Sequence, residues 1–268
     1  MYLKSQNLVI IGGSDAGISA ALRAQEIDPA ITITLMLADA YPNFSICGLP
    51  FFLSGEVRDW RKLAHRTTDE IARQGIRLLL EQRAERIDPV GKQVVVAEKN
   101  GQQRIMPYDQ LILATGAVSV RPSIPGINLP GVFSLRWVSD GLAIDRYIAE
   151  QQPEKAVIIG AGYIGLELAE ALIKRGLRVT IIETAPTIMP SLNPDLGRML
   201  QAILNEEGVS VVNGVVVQSI ELIEGRLMVD GSPQFSIQTD LVIVSVGSTP
   251  NTELGSSIGL ATGIKGAF

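Results

Sequence analysis

The stretch KAVIIGAGYIGLELAEALIKRGLRVTIIE, residues 155–183, carries the reading of this fold. An apolar, β-branched run enters a glycine turn, a stretch of helical composition follows, and a second β-branched run closes on an acid. That order is strand, turn, helix, strand. Gly160, Gly162 and Gly165 fill the three glycine places of a G-x-G-x-x-G turn. The first permits the tight turn, the second lets the backbone approach a diphosphate, and the third lets helix and strand pack closely. The N–H groups and the dipole at the helix start then face the phosphates. Glu183 ends the second strand, where a carboxylate accepts hydrogen bonds from a ribose 2′-hydroxyl and repels a 2′-phosphate, so the pattern predicts NAD(H) in preference to NADP(H). Glycines that serve only a tight turn are the other reading of these residues.

The order recurs near the N-terminus as NLVIIGGSDAGISAALRAQEIDPAITITLML, residues 7–37. Here the turn runs Gly12, Gly13, Ser14, Asp15, Ala16, Gly17, with Ser14 in the middle glycine place. Serine is small enough for a close approach. The second strand ends at Leu37 without an acid, and Asp39 is the nearest carboxylate able to reach a ribose from the loop. Two copies of a dinucleotide-binding βαβ unit predict two parallel sheets with helices packed on them.

Between the copies, residues 76–88, 92–109 and 110–117 read as short strands joined by turns, the last reaching Ala114-Thr115-Gly116. A Pro- and Gly-rich link, VRPSIPGINLPGV, follows at residues 120–132, where the locked φ of proline favours extended chain. Strand-rich sequence resumes at 211–231 and at DLVIVSVGSTPN, residues 240–251, which contains Gly247. The fold class is α/β, with two Rossmann-like dinucleotide-binding domains. Residues 1–120 form the first domain, 121–147 the link and crossing, 148–247 the second domain, and 248–268 the start of a return to the first.

Composition narrows the partners. A formal charge of −5 with no run of Lys or Arg argues against nucleic acid or an anionic membrane, and favours small molecules. The 46% hydrophobic content is broken by Gly, Asp and Glu into runs too short to span a bilayer, and the N-terminus lacks a signal-peptide pattern. The chain is expected to be soluble and cytoplasmic, without a metal site. Its one cysteine, Cys47 in NFSICGLP (residues 43–50), forms no internal disulfide, which fits a reducing compartment. The thiol is either a reagent or a small apolar side chain.

The two glycine turns, the ATG segment and VSVGSTPN, in this order, resemble the FAD-dependent pyridine nucleotide-disulfide oxidoreductases along essentially the whole chain. The resemblance implies FAD held by the first unit, through Gly12, Gly13, Ser14, Gly17, Asp39, Ala114, Thr115 and Gly116. It implies NAD(H) held by the second, through Gly160, Gly162, Tyr163, Ile164, Gly165, Glu167, Glu183 and Gly247. Tyr163 matches a tyrosine that covers the flavin until nicotinamide displaces it, although an aromatic packing at a helix start is the plainer reading. At NFSICGLP, glutathione reductase-type enzymes carry a CxxxxC pair, whereas Cys47 stands alone. This is similar to the single-cysteine branch of coenzyme A disulfide reductases, persulfide reductases, NADH oxidases and NADH peroxidases. There the cysteine cycles between thiolate and sulfenic acid or mixed disulfide, and a helix N-terminus favours the thiolate.

The resemblance therefore implies electron transfer from NADH through FAD to a disulfide, persulfide or sulfenate at Cys47, or to oxygen. Asp15 stands where NADH peroxidases have histidine, which argues against peroxidase chemistry; the one histidine, His65, reads as solvated. Coenzyme A disulfide reductases place an arginine and an asparagine where this chain has Glu26 and Ile46, and an acid facing phosphates is repulsive. Relatives then return to the FAD domain and add a dimerisation domain. The chain stops at GLATGIKGAF, so it reads as a member cut short, or as a nucleotide-binding module that acts with a partner chain.

Overall fold

The computed structural model describes residues 6–268. The first glycine-turn repeat forms β1 (Asn7–Ile11), α1 (Asp15–Ile27) and β2 (Thr32–Met36). A 3₁₀ turn at Ile46–Gly48 leads into the short α2 (Leu49–Leu53), then α3 (Thr68–Arg73) and β3 (Ile76–Leu79). Next come β4 (Gln82–Asp88), β5 (Gln93–Glu98), β6 (Gln103–Pro107), β7 (Gln110–Leu113) and β8 (Ala117–Ser119). Beyond the Pro-rich link lie β9 (Val132–Ser134), α4 (Val138–Gln151), β10 (Lys155–Ile159), α5 (Tyr163–Lys174) and β11 (Arg178–Glu183). They are followed by α6 (Pro194–Glu206), β12 (Ser210–Asn213), β13 (Val216–Ile223), β14 (Arg226–Ser232) and β15 (Phe235–Thr239). The chain closes with β16 (Leu241–Val244), β17 (Ser248–Pro250) and α7 (Glu253–Ser256).

Packing divides the chain into two compact units. One comprises the chain up to Ser45 with Arg61–Val118 and Thr249–Phe268; the other comprises Ile46–Trp60 and Ser119–Ser248. The first holds a parallel sheet in the order β3-β2-β1-β7 and an antiparallel sheet β4-β5-β6. The second repeats the plan, with a parallel sheet β12-β11-β10-β16-β9 and an antiparallel sheet β13-β14-β15. The α/β class with two Rossmann-like sheets read from the sequence is met.

Alternation along β1 explains why a continuous apolar run is needed there. Successive side chains point to opposite faces of a strand. Leu8 and Ile10 pack with Ile18 and Ala21 of α1, while Val9 and Ile11 pack with Ile87, Val94, Val96 and Met106 of the antiparallel sheet. Both faces are covered, as in parallel sheets generally. In the second unit Val157 and Ile159 of β10 face Val217, Ile220, Leu227 and Val229 in the same way.

Helix α4 begins within residues 121–147, which the sequence assigns to the link and crossing. The Asp140 carboxylate supplies the missing start signal by accepting the N–H groups of Arg136 and Trp137 at 2.9 and 2.8 Å. Val138, Gly141, Ile144 and Ile148 then line its buried face. Among the described residues no helix is long and apolar enough to cross a membrane, and no group of three or more His, Cys, Asp or Glu could hold a metal ion.

Candidate functional site

Each glycine turn is closed by backbone that a side chain would obstruct. A Cβ on Gly12 would stand 1.9 Å from the Ala114 carbonyl oxygen, and one on Gly17 would stand 1.9 Å from the Gly12 oxygen. The second unit repeats both contacts, with 2.3 Å from Gly160 to the Ser245 oxygen and 2.1 Å from Gly165 to the Gly160 oxygen. Gly162 differs from these, because a Cβ there meets nothing within 4 Å. The middle place of the turn is thus open space at the start of α5, where a ligand's phosphates can approach main-chain N–H groups.

The loops behind the two turns also match. The Gly13 carbonyl accepts the N–H of Asn43 at 2.8 Å, and the Ala161 carbonyl accepts that of Met189 at 2.9 Å. Both Asn43 and Met189 have positive φ, 55° and 49°. At the ends of β2 and β11 the repeats diverge. Glu183 accepts the N–H groups of Ala161 and Ala185, one on each carboxylate oxygen, both at 2.8 Å. A carboxylate has about four acceptor positions, so two remain for a ribose diol. Asp39, half-buried, accepts the Tyr41 N–H at 2.9 Å, and burial pushes its carboxyl above the ordinary range.

Ala114-Thr115-Gly116 and the segment around Gly247 are tied where the chain passes between its two units. In the first unit the Thr115 hydroxyl donates to the Asn251 carbonyl, and the Asn251 N–H donates to Gly116 at 2.9 Å. In the second, the Gly247 carbonyl accepts the Val120 N–H at 2.9 Å. Gly116 and Gly247 are exposed with φ of 69° and 114°.

Tyr163, Ile164 and Glu167 open α5 and are exposed, Tyr163 by 66%. Cys47 is exposed on the 3₁₀ turn before α2. Neither side chain is buried in the core. The Cys47 segment belongs to the second unit, together with the Gly160 turn, whereas the Gly12 turn lies in the first. Sequence order conceals this, because the residues on either side of 46–60 belong to the first unit.

Two clusters escaped the sequence reading. Lys174 and Arg175, at the far end of α5 from Tyr163, hold Glu56 and the Leu53 carbonyl at 2.5 and 3.0 Å. Asn43 and His65 hold Asp15 of the first glycine turn. A groove of about 620 Å³ bounded by Pro186, Arg198 and Asn205 contains none of the residues singled out from the sequence.

Residues 6–268 match the model of the pyridine nucleotide-disulphide oxidoreductase family. The chain belongs to the pyridine nucleotide-disulphide oxidoreductases. Among relatives of this family, an NADH oxidase of Methanocaldococcus jannaschii is 33% identical over 95% of this chain and 57% of that protein. A CoA-dependent NAD(P)H sulfur oxidoreductase of Pyrococcus abyssi is 34% identical over 98% of this chain and 58% of its own length. The solved NAD-dependent persulfide reductase of A. fulgidus superposes with a TM-score of 0.92 at 35% identity, over 97% of this chain and 49% of that one. The chain therefore spans between about half and three fifths of the length of these relatives.

Proposed function

We propose that the chain carries the two nucleotide sites and the sulfur site of an FAD-dependent NAD(P)H oxidoreductase acting on a disulfide or persulfide. The repeated construction of the glycine turns supports the nucleotide sites most directly, since Gly12 with Gly17 and Gly160 with Gly165 each close a turn that admits no side chain. In this reading FAD lies on Gly12, Gly13, Ser14 and Gly17, with Asp39 toward its ribose and Ala114, Thr115 and Gly116 along its length. NADH lies on Gly160, Gly162, Ile164 and Gly165, with Glu183 on the ribose diol and Gly247 bordering the site. Tyr163 and Glu167 stand at the nicotinamide end, Tyr163 as a gate. The residues fit these groups in size and charge, apart from Asp15.

When bound, the flavin supplies two-electron exchange between nicotinamide and sulfur. Cys47 supplies the nucleophile. Its thiolate attacks one sulfur of the acceptor disulfide, the S–S bond breaks, one thiolate leaves, and Cys47 is held as a mixed disulfide. The overall balance is NADH + H⁺ + RSSR → NAD⁺ + 2 RSH. Exposure of Cys47 gives an incoming disulfide access to the sulfur.

A second reading, NADH oxidation by oxygen with Cys47 as a sulfenate, is favoured by the Methanocaldococcus relative, which is named an NADH oxidase. A third, a nucleotide-binding module working with a partner chain, is compatible with the 57% coverage of that relative.

Visible absorption of the purified chain with FAD, before and after anaerobic NADH, tests the proposal. A flavin band that bleaches with NADH, in both wild type and Cys47→Ser, is expected, with disulfide-dependent turnover lost only in the variant. Turnover that survives Cys47→Ser rejects the sulfur role. Oxygen uptake that depends on Cys47 selects the oxidase. NADH binding without any flavin band selects the module.

A further inference from the structure

One feature of the first glycine turn runs against anion binding. Asp15 is the first residue of α1 and the only acid in its first turn, at the helix end where a diphosphate would be received. A negative charge there opposes a second negative charge. Its carboxylate is not loose, although its side chain is 64% exposed. Oδ1 accepts Nδ2–H of Asn43 at 2.9 Å and lies 3.2 Å from Nδ1 of His65. Asn43 is itself fixed, being 1% exposed with φ at 55°. Its N–H holds the Gly13 carbonyl at 2.8 Å, its carbonyl accepts the His65 N–H at 2.8 Å, and Arg66 Nη1 lies 3.4 Å from its Oδ1. One buried side chain therefore joins the glycine turn, the acid at its mouth and the imidazole beside it.

We propose that Asp15, Asn43 and His65 form a charge-compensating clamp on the first glycine turn, so that the turn binds a dinucleotide diphosphate more tightly when His65 is protonated. The inference rests on the assignment of this turn to FAD. Asn43 is the positioning residue, and His65 supplies the variable charge. With the imidazole neutral, the Asp15–His65 pair carries one negative charge; with it protonated, the pair is neutral. The charged group that the structure places beside the clamp is Arg66, through the Oδ1 of Asn43. His65 is the one histidine of the chain, and between about pH 6 and pH 8 an imidazole is the side chain that ordinarily changes charge.

Titration of FAD into the apo-chain, followed by quenching of flavin fluorescence at constant ionic strength, reads the effect. Wild type is expected to bind about two- to fivefold more tightly at pH 6 than at pH 8, the effect of one charge at a helix N-terminus. His65→Gln should bind equally at both pH values. Asp15→Asn should bind at pH 8 about as tightly as wild type does at pH 6, because either change removes one negative charge from the pair. Unchanged pH dependence in His65→Gln, or no tightening at pH 8 in Asp15→Asn, overturns the clamp while leaving the FAD assignment intact. Failure of the wild-type chain to bind FAD at either pH, with NADH still bound by the second unit, overturns both.

Discussion

Arg175 Nη1 donates to the Leu53 carbonyl at 3.0 Å and to the Asp145 carboxylate at 2.8 Å, joining the end of α2 to α5 and α4 within the second unit. A five-residue helix cannot sustain itself, because nucleation costs more than its few hydrogen bonds return. Leu49 and Leu53, both 0% exposed, supply the adhesion, about 1.5–3 kcal/mol each on burial. The Arg175 bonds are directional and set how the segment carrying Cys47 sits, satisfying a carbonyl that the helix end leaves without a partner.

Replacing Arg175 with Met should cost about 1–2 kcal/mol in urea unfolding and speed amide exchange across residues 49–54. Leu53→Ala should cost more, about 2–5 kcal/mol, since it opens a cavity. Lys174→Ala, which removes an exposed ion pair, should change least. Equal losses for all three would show that no single contact governs the segment.

The two kinds of glycine in the Gly160 turn should separate stability from binding. Gly165→Ala places a Cβ 2.1 Å from backbone oxygen and should destabilise the second unit by about 1–3 kcal/mol or more. Gly162→Ala meets no protein atom and has φ of −84°, so its melting temperature should stay near wild type. Its NADH affinity should nonetheless fall at least about tenfold, as the methyl would occupy the space that the proposed site gives to phosphate. Calorimetric titration beside thermal melts checks both, and unimpaired NADH binding in Gly162→Ala would remove the turn from the site.

Glu183 braces the turn and, in the proposed site, faces a ribose, and an amide does each less well. Glu183→Gln keeps one acceptor oxygen for two N–H groups and should cost about 1–3 kcal/mol in stability. It also removes the charge that repels a 2′-phosphate, so the ratio of NADPH to NADH affinity should rise about tenfold. An unchanged ratio would mean that the discrimination lies elsewhere.

Asp39 should make the first unit less stable as pH rises. Burial raises its folded carboxyl above the unfolded value, so between those values the folded state binds the extra proton. Stability therefore falls with rising pH from the ordinary aspartate range up to the raised value, and the penalty persists above it. Asp39→Asn retains an acceptor for Tyr41 and should lose that slope, with greater stability at neutral pH. Denaturant midpoints measured from pH 4 upward test the sign.

Local pattern made some of this architecture legible and hid the rest. Both glycine turns, their strands, the acid at Glu183 and the lone thiol at Cys47 could be read because they depend on short spacing and on alternation that only buried parallel strands require. Helix α4 starts inside the stretch assigned to the link and crossing, and its start signal, Asp140 accepting two backbone N–H groups, is a contact that only the folded chain makes. The bond from Asn43 to Asp15 could not be read at all, since the two residues are joined only through a buried loop conformation with positive φ.

By itself, then, the sequence determined two βαβ nucleotide units and their order, because each is a local device whose glycines are demanded by backbone sterics. Tertiary structure alone decided that residues 46–60 adhere to the second unit, through Leu49, Leu53 and Arg175, and that a buried asparagine ties Asp15 to the first turn. Contacts of that kind follow from which surfaces are buried together, and spacing along the chain carries no record of it.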